Sequence, residues 1–238
     1  MKPGTHRLLR ESHRWLGLIA GIQLLLWTIS GLYFTIVPIE TIRGNHLLTQ
    51  PAETALITHY DVLSPSALAR RDAALSELNL SDIALTYRLD RPVYLMAGRV
   101  IDAESGDELP TLTADQASQI VARRTGLSTR TPVLLTEVAK DHEFRGGPMP
   151  IWQIQTGAEN ARFYVDPQSG RIRAVRTDAW RWFDFLWALH IMDYETRDNF
   201  NHFLVQFLSI LGLLTVLSGL VLFATTQLIR RTHRAGEG

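Results

Sequence analysis

Three histidines stand where this chain could do chemistry. His13 precedes a long apolar run, His202 opens a second one, and His190 lies between them at the end of an aromatic segment. Imidazole is the side chain best suited to bind a metal or a metal-bearing cofactor near neutral pH. The chain has no cysteine, which removes disulfides, thiolate zinc sites, iron–sulfur clusters and cysteine nucleophiles, and leaves histidine, methionine and carboxylates as ligands. On a helical wheel His13, Gly17, Gly21, Leu24, Thr28, Gly31 and Thr35 share one face. His202, Gln206 and Ser209 share another, bordered by Gly212 and Gly219. A flat ring system needs such a floor of small side chains; plain helix–helix packing through the Gly17–Gly21 step is the competing use of the same pattern. His190 follows Trp180, Trp182, Phe183, Phe185 and Trp187, a run that reads as an amphipathic helix at a membrane surface, with simple anchoring as its competing use.

The elements that must position these residues are membrane helices. Trp15 to Val37 and Phe203 to Leu228 carry no formal charge and are long enough to cross a hydrocarbon core. Lys2, Arg7, Arg10 and Arg14 flank the first and Arg230, Arg231 and Arg234 the second, so both termini are expected in the cytoplasm. The N-terminal run is too long for a secretory leader and no small-x-small site follows it, so it is expected to remain as an anchor. Between Pro38 and Phe200 there are 17 basic and 22 acidic side chains, an acidic domain with no nucleic-acid footprint.

That domain carries an internal repeat. Val100-Ile101-Asp102-Ala103-Glu104-Ser105-Gly106 and Tyr164-Val165-Asp166-Pro167-Gln168-Ser169-Gly170 both read apolar-apolar-Asp-x-x-Ser-Gly, the composition of a hairpin turn. A capped helix precedes each copy, from Ser64-Pro65 to about Leu78 and from Thr113 to about Gly126. Strands are expected over 83–89, 93–101, 133–138, 151–155, 162–165 and 172–175. Helix-then-strand units with short hairpins predict an α+β domain, helices on one face of an antiparallel sheet. His6 is read as a solvated residue ahead of the first helix, and His46, His59 and His142 as surface residues without metal-ligand spacing. Gly146-Gly147-Pro148-Met149-Pro150 is too irregular for a phosphate cradle. No Ser-His-Asp order or paired acid suggests hydrolysis, and no residue is assigned a catalytic role.

The chain resembles the PepSY and PepSY-associated transmembrane proteins through His13-Arg14-Trp15-Leu16-Gly17, Thr28-Ile29-Ser30-Gly31, Phe163-Tyr164-Val165-Asp166-Pro167-Gln168-Ser169-Gly170 and Leu189-His190. The resemblance implies an α+β membrane protein of the bacterial inner membrane, two transmembrane helices flanking a periplasmic domain of two PepSY-like repeats. The expected layout is a cytoplasmic N-terminus (1–14), a first span (15–37), the periplasmic domain (38–178, repeats at about 60–110 and 111–178), an interfacial helix and turn (179–197), a second span (198–228) capped at Asp198 or Asn199, and a cytoplasmic tail (229–238). It further implies haem b, held by His13 near one face and by His190 and His202 near the other, with Gly17, Gly21, Gln206 and Ser209 lining the cofactor. Positive-inside orientation separates His13 from His202 by about 30 Å, so one haem cannot use both. A homodimeric four-helix bundle would complete the axial pairs. The implied activity is reduction of ferric iron or a ferric siderophore, with electrons from a quinol or a separate reductase. The alternative is a non-catalytic membrane-anchored module that binds and regulates a partner protein.

Overall fold

The computed structural model of the chain describes residues 3–49, 60–75 and 77–236, and of 3–6, 73, 80 and 228–236 the backbone alone. His59 and the side chains of Arg230, Arg231 and Arg234 lie outside the described residues. Two compact units form, Ile39–Arg181, and Met1–Pro38 together with Trp182–Gly238.

The second of these is helical. α1 (Pro3–Ile36) and a long C-terminal helix, Phe203–Gly236, pack against each other, and the segments Arg7–Ile36 and Phe203–Gln227 are long and apolar enough to cross a membrane. Both helices run beyond their apolar stretches. α1 begins well before Trp15 because Arg7 and Glu11 pair one turn apart at 3.1 Å and no helix breaker intervenes, so His6 lies within the helix and not ahead of it. The C-terminal helix begins at Phe203 and not at Asp198 or Asn199. The backbone N–H groups of Glu195, Thr196, Asp198 and Asn199 are all taken by the Asp193 carboxylate, which folds 193–199 into a turn. Burial pushes the Asp193 carboxyl up, but the hydrogen bonds from Thr196, Asn199 and Asp198 outweigh it and hold the group well below the usual carboxylate range.

The Ile39–Arg181 unit opens with a short α2 (Ile39–Ile42). α3 (Pro65–Arg71), capped by Ser64, precedes an antiparallel sheet of β1 (Ile83–Arg88), β2 (Arg91–Met96) and β3 (Arg99–Asp102). Two expectations are corrected here. The helix stops at Arg71, not near Leu78, because the Asp72 carboxylate takes the Ala74 N–H and the Arg99 guanidinium. The strand expected over 93–101 is two, since Ala97 and Gly98 both adopt positive φ (52° and 72°) and turn Met96 back onto Arg99. α4 (Ala114–Thr125), with the Thr113–Gln116 capping box and Gly126 at its end, covers β4 (Val133–Leu135), β5 (Ile151–Gln155), β6 (Arg162–Val165) and β7 (Ile172–Arg176). Val121, Ile154, Phe163 and Val165 are fully buried in that core, each contributing roughly 1.5–3 kcal/mol.

The two Asp-x-x-Ser-Gly turns share one hydrogen-bond pattern. Asp102 Oδ1 accepts from the N–H groups of Glu104 and Ser105, and Asp166 Oδ1 from those of Gln168 and Ser169. Gly106 and Gly170 donate to the same aspartates' carbonyls at φ of +80° and +73°, a conformation open mainly to glycine. After the second turn the chain pairs as β7; after the first it makes a single bridge at Glu108. α5 (Asp178–Ile191) carries the aromatic segment.

Candidate functional site

In the helical unit, His13 and His190 are held by the same device at different ends of α1. His13 Nδ1 lies 2.7 Å from Ser218 Oγ, and Ser218 Oγ donates to the Thr215 carbonyl at 2.9 Å. His190 Nδ1 lies 2.7 Å from Ser30 Oγ, and that hydroxyl is within bonding distance of the Leu26 and Trp27 carbonyls at 2.9 and 3.1 Å. A serine has one proton. The 2.7 Å contact also allows the serine to donate to Nδ1; where its proton is spent on the helix carbonyl, the imidazole donates from Nδ1 and its lone pair sits on Nε2. That is the tautomer of a ligating histidine whose other nitrogen is fixed by a second group.

The surroundings differ. Gly219 makes room for the His13 ring, since a Cβ there would lie 3.0 Å from His13 Cε1. His190 sits among rings: Trp27, Phe34 and Trp187 have centroids 6.1, 5.6 and 6.5 Å away, with Trp187 stacked at 7°. Trp27 Nε1 donates to the His190 carbonyl at 2.7 Å. Burial lowers the His190 pKa below the ordinary histidine value. Ser30 and His13 are 17 residues apart on α1, about 25 Å along the axis.

His202 is used otherwise. Its Nε2 lies 2.8 Å from the Ile191 carbonyl, which can only accept, so Nε2 carries the proton and ties the end of α5 to the start of the C-terminal helix, α6 (Phe203–Gly236). Asp184, buried in α5, pairs with Arg197, and Trp187 Nε1 donates to the Arg197 carbonyl at 3.1 Å. The aromatic segment is therefore divided. Phe183, Trp187 and His190 meet Phe34 of α1, while Trp182 and Phe185 face outward.

Of the helix-face residues, Gly17 is half-buried, whereas Gly21, Gln206 and Ser209 lie on exposed faces. A Cβ at Gly17 or Gly21 would meet nothing within 4 Å. The inward faces run instead through His13, Ala20, Gln23 and Ser30 on α1 and Gly212, Thr215 and Ser218 on α6. Gln23 is 8 % exposed and its amide nitrogen has no partner among the described residues. Sequence reasoning passed over Ser30, Ser218, Trp27 and Phe34. The signal available for the serines was that a hydroxyl in lipid must find an internal partner.

His46 and His142 belong to the Ile39–Arg181 unit. His46 Nε2 pairs with Glu159 at 2.9 Å, and His142 Nδ1 accepts the Phe144 N–H at 3.1 Å. Glu143, beside His142, receives Tyr164, Arg162 and Arg181 at 2.7, 3.1 and 3.0 Å. Burial raises the Glu143 pKa, and the tyrosine and two guanidiniums overcome it and leave the carboxyl below its usual range. Among the described residues no three His, Cys, Asp or Glu side chains are grouped to hold a bare metal ion.

Two membrane-spanning helices joined to antiparallel sheets with helices packed on them define an α+β membrane protein. The PepSY-associated TM region family matches residues 10–236, and the chain belongs to that family. No curated protein and no solved structure shows a significant match to it.

Proposed function

We propose that this is a haem-binding protein of the bacterial inner membrane that passes electrons to ferric iron or a ferric siderophore on the periplasmic side. Both termini would then be cytoplasmic and the Ile39–Arg181 unit, a pair of PepSY-like repeats, periplasmic. The observation that carries the reading is the pair of imidazoles, each with Nδ1 2.7 Å from a serine hydroxyl that also reaches a helix carbonyl, which leaves Nε2 for a metal. The donor set favours a macrocycle, because single imidazoles far apart do not complete a shell for a bare ion, whereas haem carries most of its own ligands and asks few of the protein.

His13 would hold a haem near the cytoplasmic leaflet, with Gly17 and Gly21 as its open floor, and His190 another near the periplasmic leaflet. When bound, haem supplies a reversible one-electron couple. The chain's part is to orient and shield. Ser218 and Ser30 set the ring planes, and Trp27, Phe34 and Trp187 keep water from His190. His202 would add a ligand through Nδ1, its Nε2 being engaged by Ile191. A second copy of the chain would provide the remaining ligands, and the exposed Gln206 amide on a membrane-spanning helix is a group such a copy would satisfy. Electrons would come from a quinol or a separate reductase.

Purification in detergent and a visible spectrum with and without dithionite test the reading. A Soret band that shifts on reduction is expected, with part of it lost in His13→Ala and part in His190→Ala. A colourless, fully helical protein purified from haem-replete cells would overturn the proposal and leave the membrane-anchored binding module.

A further inference from the structure

The sheet of β4 to β7 buries one face under α4, and its other face carries a cavity of about 540 Å³ lined by Arg130, His142, Gln153, Gln155 and Arg162, with no carboxylate in the lining. Gln153 and Gln155 alternate along β5 with Ile154, which packs into the core on the α4 side, so both project from the opposite face. Gln155 stands between the two arginines. Arg162 is its cross-strand partner on β6, and the Arg130 N–H donates to its backbone carbonyl at 2.8 Å. All five side chains are half-buried or exposed, within reach of a solute. The volume suits a small organic molecule.

Two relays that end on carboxylates set the direction of both glutamine amides. The Glu143 carboxylate takes the Tyr164 hydroxyl proton at 2.7 Å, so the phenol oxygen accepts from Gln153 Nε2 at 3.3 Å and the Gln153 carbonyl oxygen is left over. Burial and the Glu143 carboxylate both push the Tyr164 pKa up, which keeps that proton in place. The Asp178 carboxylate, paired with Arg181 at 2.8 Å, takes the Asn160 amide proton at 3.3 Å. Asn160 Oδ1 therefore accepts from Gln155 Nε2 at 2.9 Å, and the Gln155 carbonyl oxygen is left over as well. The remaining groups are donors. Phe144 N–H donates to His142 Nδ1 at 3.1 Å, which places the ring proton on Nε2. Arg162 gives Nη1 to Glu143 at 3.1 Å, but that carboxylate also holds Arg181 at 3.0 Å, so one acid serves two guanidiniums. Arg130 makes no ion pair among the described residues.

We propose that this cavity binds a small hydroxycarboxylate, with its carboxylate groups on Arg130, Arg162 and His142 Nε2 and its hydroxyl donating to the Gln155 carbonyl oxygen. Positive charge in excess of the acids selects an anion, and guanidinium forks match carboxylate oxygens. The glutamine carbonyls add a second demand, since fixed acceptors are satisfied only by a ligand that also donates. A plain carboxylate or phosphate leaves them without a partner, and a site built to hydrogen-bond a hydroxyl rejects an analogue lacking it. The neighbouring guanidiniums repel an ammonium, so hydroxyl is the donor that fits. The site lies within the Ile39–Arg181 unit and is independent of the haem reading; a colourless protein would leave it intact.

The test is isothermal titration calorimetry of the full-length protein in detergent, with citrate and, separately, tricarballylate, which is citrate without its hydroxyl, against chloride at equal ionic strength. Saturable binding of one citrate per chain is expected, tighter than tricarballylate by about fivefold, the worth of one hydrogen bond. Arg130→Gln, at an exposed position, should weaken both acids by roughly tenfold through loss of a charge-assisted contact. Gln155→Leu should bring citrate down to the affinity of tricarballylate and leave tricarballylate unchanged. No saturable citrate binding by the folded wild type would overturn the proposal. Equal affinities for the two acids, or citrate binding undiminished in Arg130→Gln, would do the same. Where circular dichroism shows that Gln155→Leu does not fold, the wild-type comparison of the two acids decides.

Discussion

His13 and His190 both place Nδ1 2.7 Å from a serine hydroxyl on a neighbouring helix, yet their surroundings share little else. His13 rests against the bare backbone of Gly219, whereas His190, also half-buried, is flanked by Trp27, Phe34 and Trp187, and its serine is completely buried. One hydrogen-bond arrangement thus operates beside a bare helix backbone and among aromatic rings. The difference separates what orients an imidazole from what protects it: a single back-bonded hydroxyl fixes the tautomer, and aromatic packing controls water.

The contrast breaks first under truncation. His190→Ala should cost about 2–4 kcal/mol, from lost ring packing and an exposed cavity, against about 1 kcal/mol for His13→Ala. Chemical denaturation in detergent, followed by circular dichroism, measures both; equal losses would mean that the aromatic enclosure contributes nothing.

Removing the serines tests the shared part. Ser30→Ala should cost about 1–2 kcal/mol by leaving a buried Nδ1–H unsatisfied, and Ser218→Ala less, since that serine is only half-buried. Threonine, which also bonds back to the preceding turn, should restore the Nδ1–H tautomer at both positions in ¹⁵N spectra. A wild-type Nε2–H signal at either ring would reject the assignment.

The smallest effect is the response to acid. The folded pKa of His190 is below its ordinary value because burial disfavours the charged ring. As pH falls below about 6.5, the unfolded ring takes up a proton first. Stability is therefore intact above that pH and declines as pH drops toward the folded value. The melting temperature of wild type and His13→Ala should fall between pH 6.5 and 5, and that of His190→Asn should fall less. An identical slope in His190→Asn would assign the decline to other groups.

Much of this architecture was legible along the chain. The Asp-x-x-Ser-Gly segments announce their turns because each aspartate bonds its own backbone and each glycine supplies positive φ. The α4 boundaries follow from Thr113, Gln116 and Gly126 for the same local reason. Where a distant residue intervened, the reading slipped. Arg99 joins Asp72 where the helix was expected to continue, and cross-strand pairing divides 93–101. Gly21, Gln206 and Ser209 lie outside the packed face, and Ser30 and Ser218 lie on it.

Composition and local order account for two apolar helices, the helix-then-strand units and three histidines near helix ends, since these depend on runs of residues and on bonds a few positions apart. Which imidazole meets which hydroxyl depends on how α1, α5 and α6 rotate against each other. A helical wheel relates residues of one helix to each other and carries no reference to its neighbour. The rotation is set by packing between side chains far apart in the chain, such as Phe34 against Phe183 and His13 against Gly219, and with it the role of each ring nitrogen.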